Sequence, residues 1–126
     1  MKGKVAFGLG EGAYFVRQYN FEPVVGFKPF PGTLNLKLGK AGIRELKKLK
    51  AKAEPVKVPK GDFGKVSVLK ARIKGLDVPC ALVFPEKTSH KETAEVIAPI
   101  SLRQRLKLKQ GDVVEVGPLA TVLQVE

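Results

Sequence analysis

Two oxygen-bearing side chains, Thr33 and Asn35, stand two residues apart directly after a Pro-Gly corner, in the stretch GFKPFPGTLNLKL. Residues i and i+2 of an extended segment project from the same face, so the hydroxyl and the amide oxygen are expected to lie side by side. Such a pair suits a magnesium ion that keeps several waters and takes its other ligands from phosphates. The same residues also fit an ordinary turn and strand start, so a metal site needs a phosphate-binding element beside it.

Three glycines occupy alternate positions upstream, in the stretch GLGEGAY that follows Val5-Ala6-Phe7. Glycine allows a ligand to approach closely, and successive free N–H groups can bind an anion. The spacing is not a dinucleotide fingerprint, because no helical pattern opens at Gly12, and no Gly-Lys-Ser/Thr closes a Walker loop. We predict a hairpin with strands at residues 5–7 and 14–16, whose tip either turns the chain or cradles phosphates.

Composition limits the protein class. A chain of 126 residues is long enough for one domain, and 44% hydrophobic with 28% charged residues is typical of a soluble globular protein. No apolar run approaches a membrane span, and no signal-peptide pattern opens the chain. The single cysteine, Cys80, excludes an internal disulfide and indicates a reduced, cytoplasmic setting. It lies in an apolar run and is predicted to be a core residue rather than a nucleophile.

The net charge of +11 favours a polyanionic partner. Nucleic acid and a polyphosphate ligand both satisfy that preference. Much of the excess comes from residues 40–60, and lysine-rich surfaces also occur on heat-stable proteins for reasons unrelated to ligands. Charge alone therefore does not separate these partners.

Short β-rich runs separated by Gly and Pro dominate the chain, which favours a barrel or sandwich over a parallel α/β sheet. Two amphipathic or capped segments predict helices, at 41–53 and at 101–106 with Ser101 as the N-cap. A loop is predicted at 52–65 and a turn at Gly117-Pro118. The remaining predicted strands are 34–38, 66–73, 81–84, 95–98, 113–116 and 121–125.

Four segments together resemble one known family: the glycine stretch, the GTLN stretch, PEKTSH leading to AEVIAP, and LRQRLKL before GDVV. In this order and spacing they are similar to the archaeal CTP-dependent riboflavin kinases over nearly the whole chain. The resemblance implies a mainly β fold, a compact six-stranded cradle-loop barrel with one or two short helices. It also implies a single domain over residues 1–126, without the N-terminal winged-helix domain that some members carry.

The resemblance implies transfer of the γ-phosphoryl group of CTP to the 5′-hydroxyl of riboflavin, giving FMN and CDP with Mg²⁺ as cofactor. Thr33 and Asn35 would bind the metal. Thr88 and Glu95 would contact the flavin, with Glu95 either a base or only a hydrogen-bond acceptor. The nucleotide contacts implied are Leu9, Gly10, Glu11, Gly12, Ala13, Tyr14, Ile100, Ser101, Leu102 and Arg103. Ala13 departs from the family pattern, which often has a basic residue there, so the loop would depend more on backbone N–H groups and the metal.

Two other classes of function stay open on the sequence. One is a basic DNA-binding barrel of the transcription-factor type, although no recognition helix is apparent. The other is a sensor that binds flavin and nucleotide without catalysis. We expect the small molecules riboflavin and CTP as partners, neither nucleic acid nor membrane, and a cytoplasmic monomer.

Overall fold

The computed structural model describes residues 1–7, 11–56, 64–86 and 92–119. Within these ranges, seven strands and four helices follow one another along the chain. Their bounds are β1 Lys2–Ala6, α1 Glu11–Arg17, α2 Glu22–Val25, β2 Leu34–Leu38, α3 Lys40–Lys50, β3 Glu54–Val56, β4 Val66–Ile73, β5 Cys80–Pro85, β6 Thr93–Ile97, α4 Leu102–Arg105 and β7 Val113–Pro118. No helix of the described ranges is long and apolar enough to cross a membrane.

Six of the described strands close into an antiparallel barrel. The order runs β4-β5-β6-β2-β1-β7, and β7 pairs back onto the second half of β4. The short β3 pairs with the first half of β4 and extends the same sheet. Closure leaves the six barrel strands with few unpaired backbone groups. The predicted six-stranded β-barrel is confirmed.

Strand β2 shows how the sequence alternation fixes the two faces of the barrel. Leu34, Leu36 and Leu38 are buried in the interior, whereas Lys37 is exposed and Asn35 is half-buried on the outer face. This follows from the period of two in a strand. The leucines therefore anchor the strand while leaving Asn35 available outside.

A second apolar cluster covers the outer face of β4, β5 and β6. Val68, Val83 and Ile97 point outwards and pack against Val16 and Phe21 from the α1–α2 segment. Tyr19 is also part of this cluster; its hydroxyl donates a hydrogen bond to the carbonyl of Gly64 at 2.9 Å, and burial raises its pKa. These contacts hold the α1–α2 segment against the outer surface of the barrel.

The predicted strand at residues 14–16 is wrong, because these residues lie in helix α1. The prediction that no helix opens at Gly12 is wrong for the same reason. Val16 of the helix and Tyr19, two residues beyond its end, are both buried against the barrel. Packing of this face overrides the β propensity of the local Tyr-Phe-Val run.

The rest of the chain differs from the predictions in three places and otherwise agrees with them. Gly117 and Pro118 do not turn but pair with Arg72 and Ala71 of β4, which a proline at a strand end permits. Strand β3 lies in the segment predicted as a loop, and helix α2 was not predicted. The remaining described strands and helices α3 and α4 agree to within a few residues, and the strand predicted at 121–125 lies outside the described residues.

Candidate active site

The Thr33–Asn35 pair lies where the chain enters strand β2. The Thr33 hydroxyl donates a hydrogen bond to the Asn35 amide oxygen, with the two oxygens 3.3 Å apart. The approach to this point is fixed by a backbone hydrogen bond of 2.7 Å from Phe30 N–H to the Ala98 carbonyl and by Gly32 at φ +150°. The two side-chain oxygens therefore converge, as their spacing in the sequence predicts.

The donor chemistry of this pair fits magnesium. Adjacent ligands of an octahedral Mg²⁺, each at 2.0–2.1 Å, lie about 3 Å apart, so oxygens at 3.3 Å need little movement. Within the described ranges, no group of three His, Cys, Asp or Glu side chains could hold a metal ion. Two neutral oxygens leave most of the coordination shell to water and phosphate, which is the usual arrangement for Mg²⁺ bound with a nucleotide.

Helix α1 begins in close contact with the same pair. A Cβ atom built on Gly12 would lie 2.8 Å from the Thr33 hydroxyl oxygen and 2.9 Å from its backbone nitrogen. Only glycine fits here without displacing Thr33. The last part of the glycine stretch thus packs directly on one of the two proposed metal ligands.

These elements surround a cleft of about 520 Å³. The cleft brings the Thr33–Asn35 pair together with proposed nucleotide contacts from both ends of the chain. The residues lining it are Ala6, Phe7, Gly12, Ala13, Phe30, Pro31, Gly32, Thr33, Leu34, Asn35, Val96, Ala98, Ile100, Ser101, Leu102, Arg103 and Gln104. Tyr14 is 61% exposed but does not line the cleft. Leu9, Gly10 and Thr88 lie outside the described residues, as does the side chain of Glu11.

The far wall of the cleft is built by helix α4. Ser101 caps it by accepting a hydrogen bond from the Gln104 N–H at 3.3 Å, and buried Leu102 anchors it to the barrel core. Arg103 points the other way, and its guanidinium carbon lies 3.7 Å from the centre of the Phe7 ring. Arg105 is exposed.

Glu95 lies beside the Thr33–Asn35 pair and is not among the residues that line the cleft. It sits on β6 directly opposite Asn35 of β2, with Val83 of β5 on its other side. Its side chain is half-buried on the outer face of the barrel. Glu95 and Asn35 therefore lie next to each other on neighbouring strands, on the outer face of the barrel.

Sequence reasoning missed two aromatic residues of the cleft. Phe7 is 41% exposed and Phe30 is 43% exposed, and both line it. Large apolar side chains left this accessible beside a cleft commonly contact a ligand. The available signal was positional, since Phe7 directly precedes the glycine stretch and Phe30 directly precedes the Pro-Gly corner.

A family model named for CTP-dependent riboflavin kinases, with the description "Domain of unknown function DUF120", matches residues 5–117. The chain belongs to this family. The match covers most of the barrel and both walls of the cleft. The resemblance inferred from the four sequence segments is confirmed, and so is the assignment of the chain to a class of kinases.

Curated relatives agree with the family match. The chain is 40% identical over 119 residues to a riboflavin kinase of Methanobrevibacter smithii, covering 90% of this chain and 95% of that one. It is 42% identical over 120 residues to a riboflavin kinase of Methanococcus maripaludis, covering 90% and 94%. A riboflavin kinase of Thermococcus kodakarensis is 45% identical over 116 residues, which cover 87% of this chain but 54% of the longer relative.

Proposed function

We propose that this protein transfers the γ-phosphoryl group of CTP to the 5′-hydroxyl of riboflavin, giving FMN and CDP with Mg²⁺ as cofactor. The observation that carries the proposal is the cleft in which the Thr33–Asn35 pair lies between Gly12 and helix α4. The names of its relatives support the same substrate.

The cleft suits the polyphosphate of a nucleotide. Arg103 is the one charged residue among the described residues that line it, so its only side-chain charge is positive. Ala13 contributes no charge, and Gly12 leaves the backbone open to close approach. The phosphates would then lie between α1 and α4 within reach of Arg103, with residues 100–102 contacting the rest of the nucleotide.

Thr33 and Asn35 would hold the Mg²⁺ ion through their two side-chain oxygens. A bound Mg²⁺ ion neutralises charge that develops on the transferring phosphoryl group. The Pro31-Gly32 corner and the buried leucines of β2 keep the two oxygens in place before substrate arrives. Such preorganisation matters because phosphoryl transfer depends chiefly on positioning and charge stabilisation.

Glu95 would serve the acceptor. Because Glu95 faces Asn35 across the β2–β6 pair, its carboxylate would lie near the oxygens proposed to bind the metal. There it would accept a hydrogen bond from the 5′-hydroxyl of riboflavin and take the proton as the oxygen attacks the phosphorus. Thr88, which is not among the described residues, would contact the same substrate.

The direct test is FMN formation. The protein is incubated with riboflavin and Mg²⁺ plus either CTP or ATP, and products are separated by chromatography. We expect FMN and CDP with CTP and little product with ATP. Riboflavin binding without product would favour the sensor, and binding to duplex DNA with a steep salt dependence would favour the DNA-binding barrel. Equal rates with both nucleotides would contradict the assignment of CTP.

A further inference from the structure

Phe7 and Arg103 form a stacked pair at the mouth of the cleft. The guanidinium lies 3.7 Å above the ring centre, close enough for a cation–π interaction. Both residues line the cleft, and both side chains are exposed. The proposed reaction assigns no role to Phe7.

The chain holds the two partners in fixed relation. The backbone N–H of Phe7 donates to the Gln110 side-chain oxygen at 2.9 Å. The Leu108 N–H donates to the Arg103 carbonyl, also at 2.9 Å. The segment of residues 108–112 therefore anchors both Phe7 and Arg103. Two further backbone hydrogen bonds, Val5 N–H to the Asp112 carbonyl at 2.7 Å and Gly111 N–H to the Val5 carbonyl at 2.8 Å, tie the end of β1 to this segment.

The stack leaves the guanidinium's binding groups available. The ion pairs within the described ranges join the Met1 amine to Glu45 and Lys2 to Glu115, so no described carboxylate neutralises Arg103. Stacking occupies one face of the guanidinium, whereas its five N–H donors lie in the plane and point outwards from the edge. An arginine held this way can bind a phosphate through two parallel hydrogen bonds.

We propose that Phe7 is a positioning residue that holds Arg103 with its N–H edge towards a phosphate of the bound nucleotide. An arginine side chain free in solvent loses much rotamer freedom on binding, and a partner that orders it beforehand reduces that loss. This inference rests on the proposed function, since it requires a nucleotide in the cleft.

The test is a double-mutant cycle on nucleotide affinity, measured by titration calorimetry with CDP and Mg²⁺. Phe7→Leu should weaken CDP binding about threefold to fivefold, the size of an exposed cation–π contact. Arg103→Ala should weaken it about tenfold or more, as expected for a charge-assisted phosphate contact. The double variant should bind no more weakly than Arg103→Ala alone, because Phe7 acts only through Arg103.

Two controls separate positioning from general packing. Phe30→Leu removes another exposed aromatic side chain of the same cleft. Its effect on CDP affinity should be independent of Arg103→Ala, so the fold-losses of the two variants should multiply in the double variant. Arg103→Lys keeps the charge but not the planar stack, so Phe7→Leu should add little to it. If Phe7→Leu proves unstable, Phe7→Tyr takes its place: it keeps an aromatic face under the guanidinium and should bind CDP as tightly as wild type, and a loss of several-fold would contradict the stack.

Cytidine, which lacks phosphate, is the second ligand of the test. We expect Phe7→Leu and Arg103→Ala to leave cytidine affinity within about twofold of wild type. An equal loss for cytidine and CDP would overturn the phosphate assignment in favour of contact with the base. Independent losses from the two substitutions would overturn the positioning role. A wild-type protein that binds no nucleotide would instead overturn the proposed function as well.

Discussion

Asn35 and Glu95 lie directly opposite each other on the neighbouring strands β2 and β6, and both side chains are on the outer face of the barrel. Directly opposed residues of an antiparallel pair have Cβ atoms about 5 Å apart. One of the two is a proposed ligand of the metal and the other a proposed contact of the acceptor. With these proposed roles, the register of β2 and β6 would set the distance between the metal and the acceptor through backbone hydrogen bonds rather than through a flexible loop.

Asn35→Ala should abolish most turnover while leaving riboflavin binding largely intact. The substitution removes one of two side-chain oxygens that would hold Mg²⁺, so we expect kcat to fall at least about a hundredfold. Riboflavin affinity, measured by quenching of its fluorescence, should change by less than about threefold. Lys37→Ala, on the same strand and face but exposed, is the matched control and should retain activity.

Raising the Mg²⁺ concentration should partly recover the Asn35→Ala rate, because Thr33 remains as a ligand. Loss of riboflavin binding and turnover to the same degree would show that Asn35 is a structural residue of the strand. Circular dichroism and thermal unfolding distinguish that case from a folded protein with a weakened metal site.

Glu95→Gln should lower kcat about a hundredfold with little change in the KM for riboflavin. The amide keeps the shape and can still hydrogen-bond the acceptor, but it cannot take the proton of the 5′-hydroxyl. Steady-state kinetics with riboflavin varied at saturating CTP gives both parameters. A raised KM with an almost unchanged kcat would mean that Glu95 only orients the sugar chain of the flavin.

The sequence was a good guide where structure depends on local periodicity. The alternation of leucines at 34, 36 and 38 buries one face of β2 and leaves Asn35 outside, which the pattern alone predicts. Helix α1 could not be predicted in this way, because its apolar residues face an outer barrel surface built from distant strands. The same limit hid the Phe7–Arg103 stack, whose partners meet only after the barrel has closed.

The thiol of Cys80 should make stability depend on pH in the alkaline range. Burial raises its pKa from 9.0 to about 11. As the pH rises above 9 the unfolded chain loses this proton first, so the stabilisation is fully present below pH 9 and is lost as the pH passes 11. We expect the wild-type free energy of unfolding to fall by about 1 to 2 kcal/mol more than that of Cys80→Ala over this range.

Urea unfolding of both proteins at several pH values between 8 and 11 measures this difference. Lysine and tyrosine side chains also titrate there, but they are common to both proteins and cancel in the comparison. A constant difference in unfolding free energy across the range would mean that the thiol is not protected by burial.

Gly12→Ala should impair catalysis although alanine is the better helix former. In an ordinary helix interior the change stabilises by up to about 1 kcal/mol. Here the added Cβ would lie 2.8 Å from the Thr33 hydroxyl oxygen and 2.9 Å from the Thr33 backbone nitrogen, so helix α1 or Thr33 must move. We expect kcat to fall at least about tenfold and the Mg²⁺ requirement to rise, since Thr33 no longer points at its partner oxygen.

Gly39→Ala is the matched control, because no atom lies within 4 Å of the position that a Cβ would take there and the Gly39 φ of −83° suits any residue. It should leave kcat and the Mg²⁺ dependence close to those of wild type. If Gly12→Ala proved as active as Gly39→Ala, the contact between helix α1 and Thr33 would not be needed to position the Thr33 and Asn35 oxygens. A Gly12→Ala protein that bound CDP normally but turned over slowly would assign the loss to Thr33 rather than to the phosphate loop.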